Sequence, residues 1–308
     1  MSNGIRLTYA LTTRNKLAFL KGVLAQLVTS MEADEEIVVA DGGSTDGTVE
    51  FLQSQYRAGW IHQLVSAPDR GEAHGMNRAF LLARGELIKV VTDDDSYHWP
   101  GIRECKDFML KHPEIDALGT EGAGTTWESE DPFDPSSSHV DFREWLLQHT
   151  PFSFCGLGLM IRRDSLALVG LFNTAFVRVD HEFTLRLTSG PANLAWYTGR
   201  TWVRMVNPQS NAVTQAARLA QETERVNRFY SSGRGHIPAG GRIMPVATGL
   251  ARWRRLLAKV ARALGVTRLG VDRPQSHAAM SWESKAQLSA MWLRTQPAIQ
   301  AGVFLYRK

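Results

Sequence analysis

Cysteine is scarce in this chain of 308 residues. Cys105 and Cys155 are the only two, and they lie far apart along the sequence. This excludes a disulfide-stapled secreted fold and a cysteine-based metal knuckle, because both need several cysteines at short spacings. We expect both thiols to be ordinary buried side chains of a cytoplasmic protein, since the cytoplasm keeps thiols reduced.

Long apolar runs are also missing. The N-terminal residues lack the charged segment and the apolar stretch of a secretory signal. No segment approaches the ~20 apolar residues that a membrane-spanning helix needs. The sequence therefore predicts a soluble protein, or one that is peripheral at the inner face of a membrane, and it is long enough to bury a sizeable core.

A strong excess of one charge sign is absent as well. The formal net charge is +4 and the isoelectric point is about 9.2; since no nucleic-acid-binding module is recognisable, we expect no nucleic-acid partner. The basic excess concentrates near the C-terminus, at Arg242, Arg252, Arg254, Arg255, Lys259, Arg262 and Arg268. Residues 250–264 have the pattern of a helix with one apolar and one basic face. Such a helix fits contact with an anionic membrane surface, packing on the protein, or a homo-oligomer interface.

Strand and helix patterns alternate over the first hundred residues. Apolar runs predict strands at 5–11, 36–40, 64–66 and 86–92, and helical spacing of apolar residues predicts helices at 15–30, 48–56 and 71–84. This alternation predicts an α/β fold with a mostly parallel central sheet and crossover helices.

The rest of the chain is less regular. Residues 119–139 are rich in Gly, Thr, Ser and Pro, which predicts a long functional or mobile loop. Helices are expected near 141–149, 180–187 and 218–230, with an apolar stretch at 155–161. A Gly/Pro-rich hinge at 231–241 predicts a boundary between a domain at 1–230 and a helical, basic C-terminal extension at 231–308.

Polar residues follow three of the predicted strands. Thr12 and Thr13, then Asp41, and then residues 93–95 all stand at strand carboxyl ends. Ligands of open α/β sheets bind in the crevice beyond these ends. We therefore expect the three groups to surround one pocket.

Asp93, Asp94 and Asp95 are the most informative residues. Three adjacent carboxylates repel one another unless a cation lies among them, and hard oxygen ligands suit Mg²⁺ or Mn²⁺. The simpler alternative is an acidic loop that caps the following helix. Composition alone leaves both interpretations open.

Asp41 begins a glycine-rich turn. Its carboxylate could accept hydrogen bonds from a pyrimidine base or from ribose hydroxyls, while Gly42 and Gly43 allow close approach of the backbone. The alternative is a purely structural turn in which Ser44 and Asp46 cap the next helix. Composition by itself favours that alternative.

Together these features resemble the inverting glycosyltransferases of family 2, which have the GT-A fold and build bacterial polysaccharides. The resemblance covers residues 5–210, about two thirds of the chain. The matching segments, in chain order, are Leu11-Thr12-Thr13-Arg14-Asn15-Lys16, the run from Val38 to Thr48, Pro68-Asp69-Arg70-Gly71 with Gly75-Met76-Asn77-Arg78-Ala79, Asp93-Asp94-Asp95 and the run from Val179 to Leu187.

The resemblance implies a site for a UDP- or dTDP-sugar and a divalent metal, Mn²⁺ or Mg²⁺. Asp93-Asp94-Asp95 stands at the family's DXD motif, which implies ribose contact by Asp93 and metal coordination chiefly by Asp95. The nucleotide-sugar site is then expected to include Thr12, Thr13, Asn15, Asp41, Gly43, Asp69, Arg70, Asn77, Asp93 and Asp94.

The later motif implies the acceptor side of the reaction. By this match Asp180 is the general base that takes the proton of the acceptor hydroxyl, with inversion at the anomeric carbon. Glu182 and Arg186 are then expected near the acceptor, a saccharide or a lipid-linked sugar. From spacing alone, Asp180 and Glu182 are equally consistent with the exposed side of a helix.

Three residues depart from the family pattern. Val179 stands where the family often has Glu, Arg14 replaces a frequent aromatic residue, and no histidine follows Arg204. Metal binding is therefore expected to rest on Asp95, the diphosphate and water.

Two other functions fit the sequence less well than transfer of a sugar. A nucleotidyltransferase needs a Gly- and Arg-rich loop after the first strand, which residues 11–16 lack. A non-catalytic scaffold with a degenerate GT-A fold is opposed by the intact Asp41, Asp95 and Asp180.

Overall fold

The computed structural model describes residues 4–126, 133–231, 282–295 and 302–307. Its strands are β1 (Leu7–Thr13), β2 (Glu35–Asp41), β3 (Gln63–Ser66), β4 (Leu87–Val91), β5 (Ser96–Tyr97), β6 (Ala117–Thr126), β7 (Asp134–Pro135), β8 (Met160–Arg162), β9 (Leu194–Val206) and β10 (Phe304–Tyr306). Its helices are α1 (Leu17–Ser30), α2 (Thr48–Arg57), α3 (Glu72–Leu82), α4 (Trp99–Lys111), α5 (Ser138–Gln148), α6 (Leu166–Val169), α7 (Val179–Ser189), α8 (Asn211–Thr214), α9 (Ala216–Ser231) and α10 (Trp282–Thr295).

The described strands form one sheet in the order β10-β9-β6-β8-β4-β1-β2-β3, with β5 beside β9 and β7 beside β6. The four strands predicted in the first hundred residues are β1 to β4. They pair in parallel, with Thr13 opposite Asp41 and Asp41 opposite Ser66. The predicted α/β fold with a mostly parallel central sheet is confirmed for this half of the sheet.

The other half of the sheet is mixed. Strand β8 runs antiparallel to both β4 and β6, and β6 pairs in parallel with β9. Strand β10 adds an antiparallel partner to β9. The sheet therefore continues well beyond the nucleotide-binding half that the sequence predicts.

Hydrophobic side chains cover both faces of the sheet. In β1, Tyr9 and Leu11 belong to a core with α1, α2, α4 and α10, whereas Ala10 belongs to a core with α3, α5 and α7. This alternation follows from the two-residue period of a strand. The result is a sandwich of helices, sheet and helices that leaves the strand ends open for a site.

The predicted loop at residues 119–139 is wrong for its first part, because β6 extends to Thr126. Its glycines serve packing instead of flexibility. A Cβ on Gly119 would lie 2.2 Å from the ring of Trp196, and one on Gly122 would lie 2.1 Å from the ring of Trp202. Residues 127–132 lie outside the described part of the chain.

The C-terminal residues that are described pack on the main body. In α10, Ala286 and Leu293 are buried in the same core as α1 and α4, and β10 borders β9. Residues 232–281 lie outside the described ranges, and with them most of the predicted hinge and the basic segment 250–264. The domain boundary at residue 230 stays a prediction. Among the described helices, none combines the length and apolar character needed to cross a bilayer.

Candidate active site

The predicted site residues of the first hundred positions lie at one edge of the sheet. Thr13 and Asp41 end neighbouring strands and face each other in register, and Asp93 follows the end of β4 on the other side of β1. Helix α3 approaches closely, because a Cβ on Gly75 would lie 2.1 Å from Thr12 Oγ1. Thr12 and Thr13 are therefore almost fully covered by protein.

Asp41 is fully buried, and the turn that follows it uses its carboxylate. Oδ2 accepts hydrogen bonds from Gly43 N at 3.0 Å and Ser66 Oγ at 2.7 Å, and Oδ1 accepts one from Ser44 Oγ at 2.5 Å. With 0 % exposure, the side chain has no open face for a base. Of the structural alternative for this turn, only part is present: Asp46 Oδ1 accepts from Thr48 N at 3.1 Å at the start of α2, whereas Ser44 bonds Asp41 instead. Any base contact by Asp41 stays a prediction.

Asn15 and Gly43 link the first loop to the same turn. Asn15 Oδ1 accepts from Thr45 N at 2.7 Å, and Asn15 N donates to Ser44 Oγ at 2.8 Å. Gly43 adopts φ +81°, a conformation that glycine adopts without strain, and a Cβ at this position would lie 3.2 Å from the Cα of Pro68. These contacts bring the loops after β1, β2 and β3 together.

The loop before α3 positions Asp69 and Arg70. Asp69 Oδ1 caps the turn by accepting from Gly71 N at 2.9 Å, and Arg70 is exposed at the loop surface. Arg78 stabilises the loop, because its guanidinium group donates hydrogen bonds to the carbonyl oxygens of Ala67 and Pro68. Asp69 and Arg70 therefore stand at the edge where the sequence predicts the donor.

Asn77 has a structural partner. Its amide nitrogen donates to Phe172 O, and its amide oxygen accepts from Phe172 N, both at 2.8 Å. This pair of bonds fastens α3 to the segment after α6 and occupies the polar atoms of the side chain. A direct contact with a donor would require these bonds to break.

The three consecutive aspartates have different surroundings. Asp94 Oδ2 pairs with Lys16 Nζ at 2.8 Å and accepts from Asn207 Nδ2 at 2.7 Å. Asp95 Oδ1 accepts from the backbone N of Met205 at 2.7 Å, which ties the loop after β4 to β9.

Electrostatic strain is concentrated on Asp93 and Asp95. Burial, followed by the neighbouring Asp94 carboxylate, raises the pKa of Asp93 well above its usual range. The same two causes raise the pKa of Asp95 to about 8. A divalent cation relieves exactly this kind of repulsion, because it favours the ionised carboxylates.

The residues present fit a hard divalent cation that shares its shell with a substrate. Carboxylate oxygens are the donors that Mg²⁺ and Mn²⁺ prefer. Within the described residues, three carboxylate, His or Cys ligand atoms meet only at Glu32, Asp34 and Glu35, and there Lys106 Nζ already pairs with all three. The aspartates at 93–95 therefore offer a partial ligand set, which diphosphate oxygens and water would have to complete.

Glu72, the first residue of α3, is a site residue that the sequence analysis missed. Its pKa is raised to about 7 by burial, then by the charges of Asp180 and Asp94, while Asn211 and Lys16 act in the opposite direction. Glu72 therefore lies in the electrostatic reach of both predicted halves of the site. The sequence feature that could have identified Glu72 is its position directly after Gly71, at the start of a helix that borders the predicted pocket.

Lys16 and Asn207 were also left without a role. Lys16 Nζ bonds both Asp94 Oδ2 and, at 3.3 Å, Asn207 Oδ1. Asn207 occurs three residues after Arg204, in the segment where the resembled family often has a histidine. Its amide joins the end of β9 to the aspartate loop.

Asp180 lies in the first turn of α7, where a carboxylate interacts favourably with the helix dipole. Its Oδ2 accepts from Gly156 N at 3.2 Å, and its backbone oxygen accepts from Thr184 Oγ1 at 2.7 Å. The side chain is only partly buried. A carboxylate in this position is able to accept a proton from a bound hydroxyl.

Glu182 and Arg186 bind each other and the protein backbone. Arg186 Nε donates to Glu182 Oε1 at 3.0 Å, and its Nη atoms donate to the carbonyl oxygens of Val169 and Leu171. Glu182 is 8 % exposed and also accepts from Tyr230 Oη at 3.5 Å. The contacts assign this pair to fastening α7 and give no support to the predicted acceptor contact.

The amino-acid sequence of residues 9–166 matches the family model described as Glycosyl transferase family 2. Among curated proteins, the lipopolysaccharide core biosynthesis glycosyltransferase LpsC of Rhizobium meliloti (strain 1021) is 44 % identical over 50 residues. That segment is 16 % of this chain, and the match spans only 18 % of the length of the relative.

Solved structures share the fold. The S. aureus TarS 1–349 complex with UDP has a TM-score of 0.54 at 16 % identity, covering 85 % of this chain and 73 % of that one. The mannosyltransferase PcManGT from Pyrobaculum calidifontis, in complex with GDP-Man and Mn²⁺, has a TM-score of 0.53 at 20 % identity, covering 96 % and 84 %. At these identities the likeness concerns the fold, and it confirms the predicted GT-A architecture.

Proposed function

The chain belongs to glycosyl transferase family 2, and from that premise we propose that it transfers a sugar from a UDP- or dTDP-sugar to a saccharide or lipid-linked acceptor, with inversion. One observation carries the proposal. Asn207 Nδ2 donates to Asp94 Oδ2 at 2.7 Å and Asn211 Nδ2 donates to Glu72 Oε2 at 3.3 Å, so the segment after β9 joins the aspartate loop to the start of α3. The charges of Asp94 and of the distant Asp180 both raise the pKa of Glu72.

The donor is proposed to lie along the carboxyl ends of β1, β2 and β4. Thr12, Thr13 and Asn15 border the base, with Asp41 and Gly43 shaping that border through the turn. Asp93 contacts the ribose, and Asp94 helps to close the site through Lys16. Arg70 suits the diphosphate, because a guanidinium fork matches phosphate oxygens, and it is exposed beside Asp69.

Mn²⁺ or Mg²⁺ is proposed as the cofactor, held by Asp95 and the donor diphosphate. The structural neighbour PcManGT was crystallised with Mn²⁺, and the buried carboxylates of this chain form a hard donor set. When bound, the ion neutralises charge that develops on the leaving diphosphate.

Asp180 is proposed as the general base. It takes the proton of an acceptor hydroxyl while that oxygen attacks the anomeric carbon opposite the leaving group, so the configuration inverts. The Gly156 N–H holds one carboxylate oxygen, which leaves the other to face the acceptor.

The acceptor is proposed to be a growing glycan, free or linked to a lipid. The short match to a lipopolysaccharide core enzyme favours this class, and a reaction at the cytoplasmic face of a membrane would suit it.

The experiment that tests the proposal is calorimetric titration of UDP, dTDP, GDP, CDP and ADP into the protein, each with Mn²⁺ and with a chelator. Metal-dependent binding of one pyrimidine diphosphate is the expected result, and it selects the donor sugars for a transfer assay. If none of the five binds under either condition, the proposed transfer is wrong and a degenerate scaffold remains.

A further inference from the structure

A buried lysine lies at the centre of the sheet without a place in any motif. Lys89, on β4, is 1 % exposed. Its Nζ donates to the carbonyl oxygens of Val90 at 3.0 Å, of Leu159 at 3.3 Å and of Leu157. These three acceptors match the three donors of an ammonium group.

Placing a lysine here is costly. Burial lowers the pKa of Lys89 to about 7, because taking the ammonium group out of water disfavours its charged form. No carboxylate pairs with Lys89 among the described contacts; its hydrogen-bond partners are backbone carbonyls, two of which belong to the segment after Cys155, and its Nζ also lies 5.7 Å from the centre of the Tyr97 ring. The hydrogen bonds of Lys89 therefore stabilise the conformation of that segment.

The segment in question is the 3-10 turn Gly156–Gly158. Leu157 belongs to this turn, and Leu159 follows it and closes it by donating from its N to Gly156 O at 3.0 Å. Lys89 therefore holds the middle residue of the turn, Leu157, and the residue that follows the turn, Leu159, through their carbonyl groups. Because the turn is short and closed, a shift of Leu157 is transmitted directly to Gly156.

Gly156 is the residue of the turn that contacts Asp180. Its N–H donates to Asp180 Oδ2 at 3.2 Å, and a Cβ on Gly156 would lie 3.2 Å from the Cβ of Asp180. Thr184 holds the main chain of Asp180. Among the hydrogen bonds that the structure describes, the Gly156 N–H alone restrains the Asp180 carboxylate.

We propose that Lys89 is a positioning residue that fixes the carboxylate of Asp180 through the turn Gly156–Gly158. The inference rests on the proposed function, in which Asp180 is the general base. Without Lys89 the two carbonyl groups lose their common donor, the turn loosens, and the carboxylate leaves its reactive orientation. Donor binding, which occurs at the other side of the cleft, is retained.

The experiment compares wild-type protein with Lys89→Met, which keeps the apolar stem of the side chain. We expect kcat to fall by about 100-fold, the scale of a misplaced catalytic group, while KM for the donor stays within about twofold. The acidic limb of the kcat–pH profile moves to higher pH, because a hydrogen bond to a carboxylate favours its charged form. The matched control is Lys111→Met, at an exposed lysine of α4, which keeps wild-type kinetics.

A second readout does not depend on transfer. Amide hydrogen exchange at Gly156, followed by NMR, is expected to accelerate in Lys89→Met and to stay unchanged in Lys111→Met. Unchanged exchange at Gly156 in Lys89→Met would overturn the structural link. Faster exchange with wild-type kcat and pH profile would overturn the positioning role.

Two further variants separate other causes of failure. If Lys89→Met does not fold, Gly156→Ala tests the last step of the link, because a Cβ at Gly156 would lie 3.2 Å from the Cβ of Asp180. A wild-type kcat in that variant would show that the turn does not set the position of the carboxylate, which contradicts the proposal. If Asp180→Asn transfers sugar at the wild-type rate, the proposed base is wrong and the inference falls with it. Faster amide exchange at Gly156 in Lys89→Met would then show only that Lys89 stabilises the turn.

Discussion

At the scale of single residues, the cleft is dominated by acidic side chains. Asp93, Asp95 and Glu72 all have raised pKa values, and burial is the first cause for each. Lys16 is a nearby cation that pairs with Asp94. Because the acidic side chains outnumber the cations, such a site favours a cationic ligand, or an anion that is accompanied by a divalent cation. A diphosphate with Mn²⁺ satisfies this condition.

Asp180→Asn tests the proposed base directly. The substitution keeps the size of the side chain and removes its ability to take a proton, so we expect transfer to fall by at least about 100-fold. Donor binding with Mn²⁺, measured by calorimetry, is expected to stay near the wild-type value because Asp180 is proposed to act on the acceptor and not on the donor. Glu182→Gln serves as a comparison, since Glu182 binds Arg186; equal loss in both variants would argue for damage to α7.

Glu72 predicts a pH dependence of stability in the absence of donor and metal. Its pKa of about 7 in the folded protein exceeds the unfolded value near 4.5, so the folded state binds more protons between these pH values. Stability from this group is present below pH ~4.5 and is lost as pH rises through ~7. At pH 8, Glu72→Gln is therefore expected to be more stable than wild type by about 2 kcal/mol, allowing for partial exposure.

Urea unfolding at pH 5 and pH 8 measures this effect. Glu50→Gln, at an exposed position of α2, is the control and should follow wild type at both pH values. A Glu72→Gln protein whose advantage is equal at pH 5 and pH 8 would show that charge at Glu72 is not the cause.

At the scale of elements, the sequence predicted the parallel half of the sheet well. Helix α2 begins at Thr48, as predicted, and β2 extends one residue beyond each predicted end. These elements have local signals, namely apolar runs and helical spacing bounded by turns. The helices near Asp180 and in α9 were also found from their spacing.

The mixed half of the sheet could not be predicted from the sequence, because its strands are defined by residues that are distant along the chain. Residues 119–126 have the composition of a loop, and only the rings of Trp196 and Trp202 in β9 explain their glycines. β9 itself was not predicted, and neither was its pairing with β10 from the far end of the chain. Strands of this kind are defined by packing against neighbours.

The site was predictable to the level of loops. Motif order led to the aspartates and Asp180, whose roles stay predictions, while the geometry showed which of the predicted side chains are already used by the fold. Asn77 and Arg186 bind backbone groups, and no sequence pattern distinguishes such an internal partner from a substrate. Glu72 was missed because its surroundings come from two distant segments.

Helix α10 gives a prediction at this scale. Leu293 is 0 % exposed in the core shared with α1 and α4, whereas Met291 on the same helix is 56 % exposed. Leu293→Ala should lower the free energy of unfolding by about 3 kcal/mol through lost burial and the cavity that remains. Met291→Ala should change it by less than about 0.5 kcal/mol. Urea denaturation compares them, and equal small effects would show that α10 does not support the core.

At the scale of the whole molecule, donor and metal should stabilise the fold by mass action. A nucleoside diphosphate with Mn²⁺ at 100 times its Kd contributes about 2.7 kcal/mol, which is about 5 °C in Tm for a chain of this size. In Asp95→Ala we expect the metal-dependent part of this shift to vanish. Thermal melts with UDP, with and without a chelator, measure it.

The control for this experiment is Asp107→Ala, at an exposed position of α4. It removes one carboxylate far from the motif and should show the full shift. An Asp95→Ala protein that keeps a chelator-sensitive shift would place the metal on another side chain.

The pairing of β9 with β10 has a consequence for how the protein is made. A ribosome adding about 5 to 20 residues per second needs about 5 to 20 s to pass from the end of β9 to the start of β10. During that interval the described edge of β9 lacks the strand that later covers it, and an uncovered strand edge invites pairing with other chains. The parallel half, complete by Val91, can form meanwhile, so the nascent chain is most exposed to aggregation at its opposite edge.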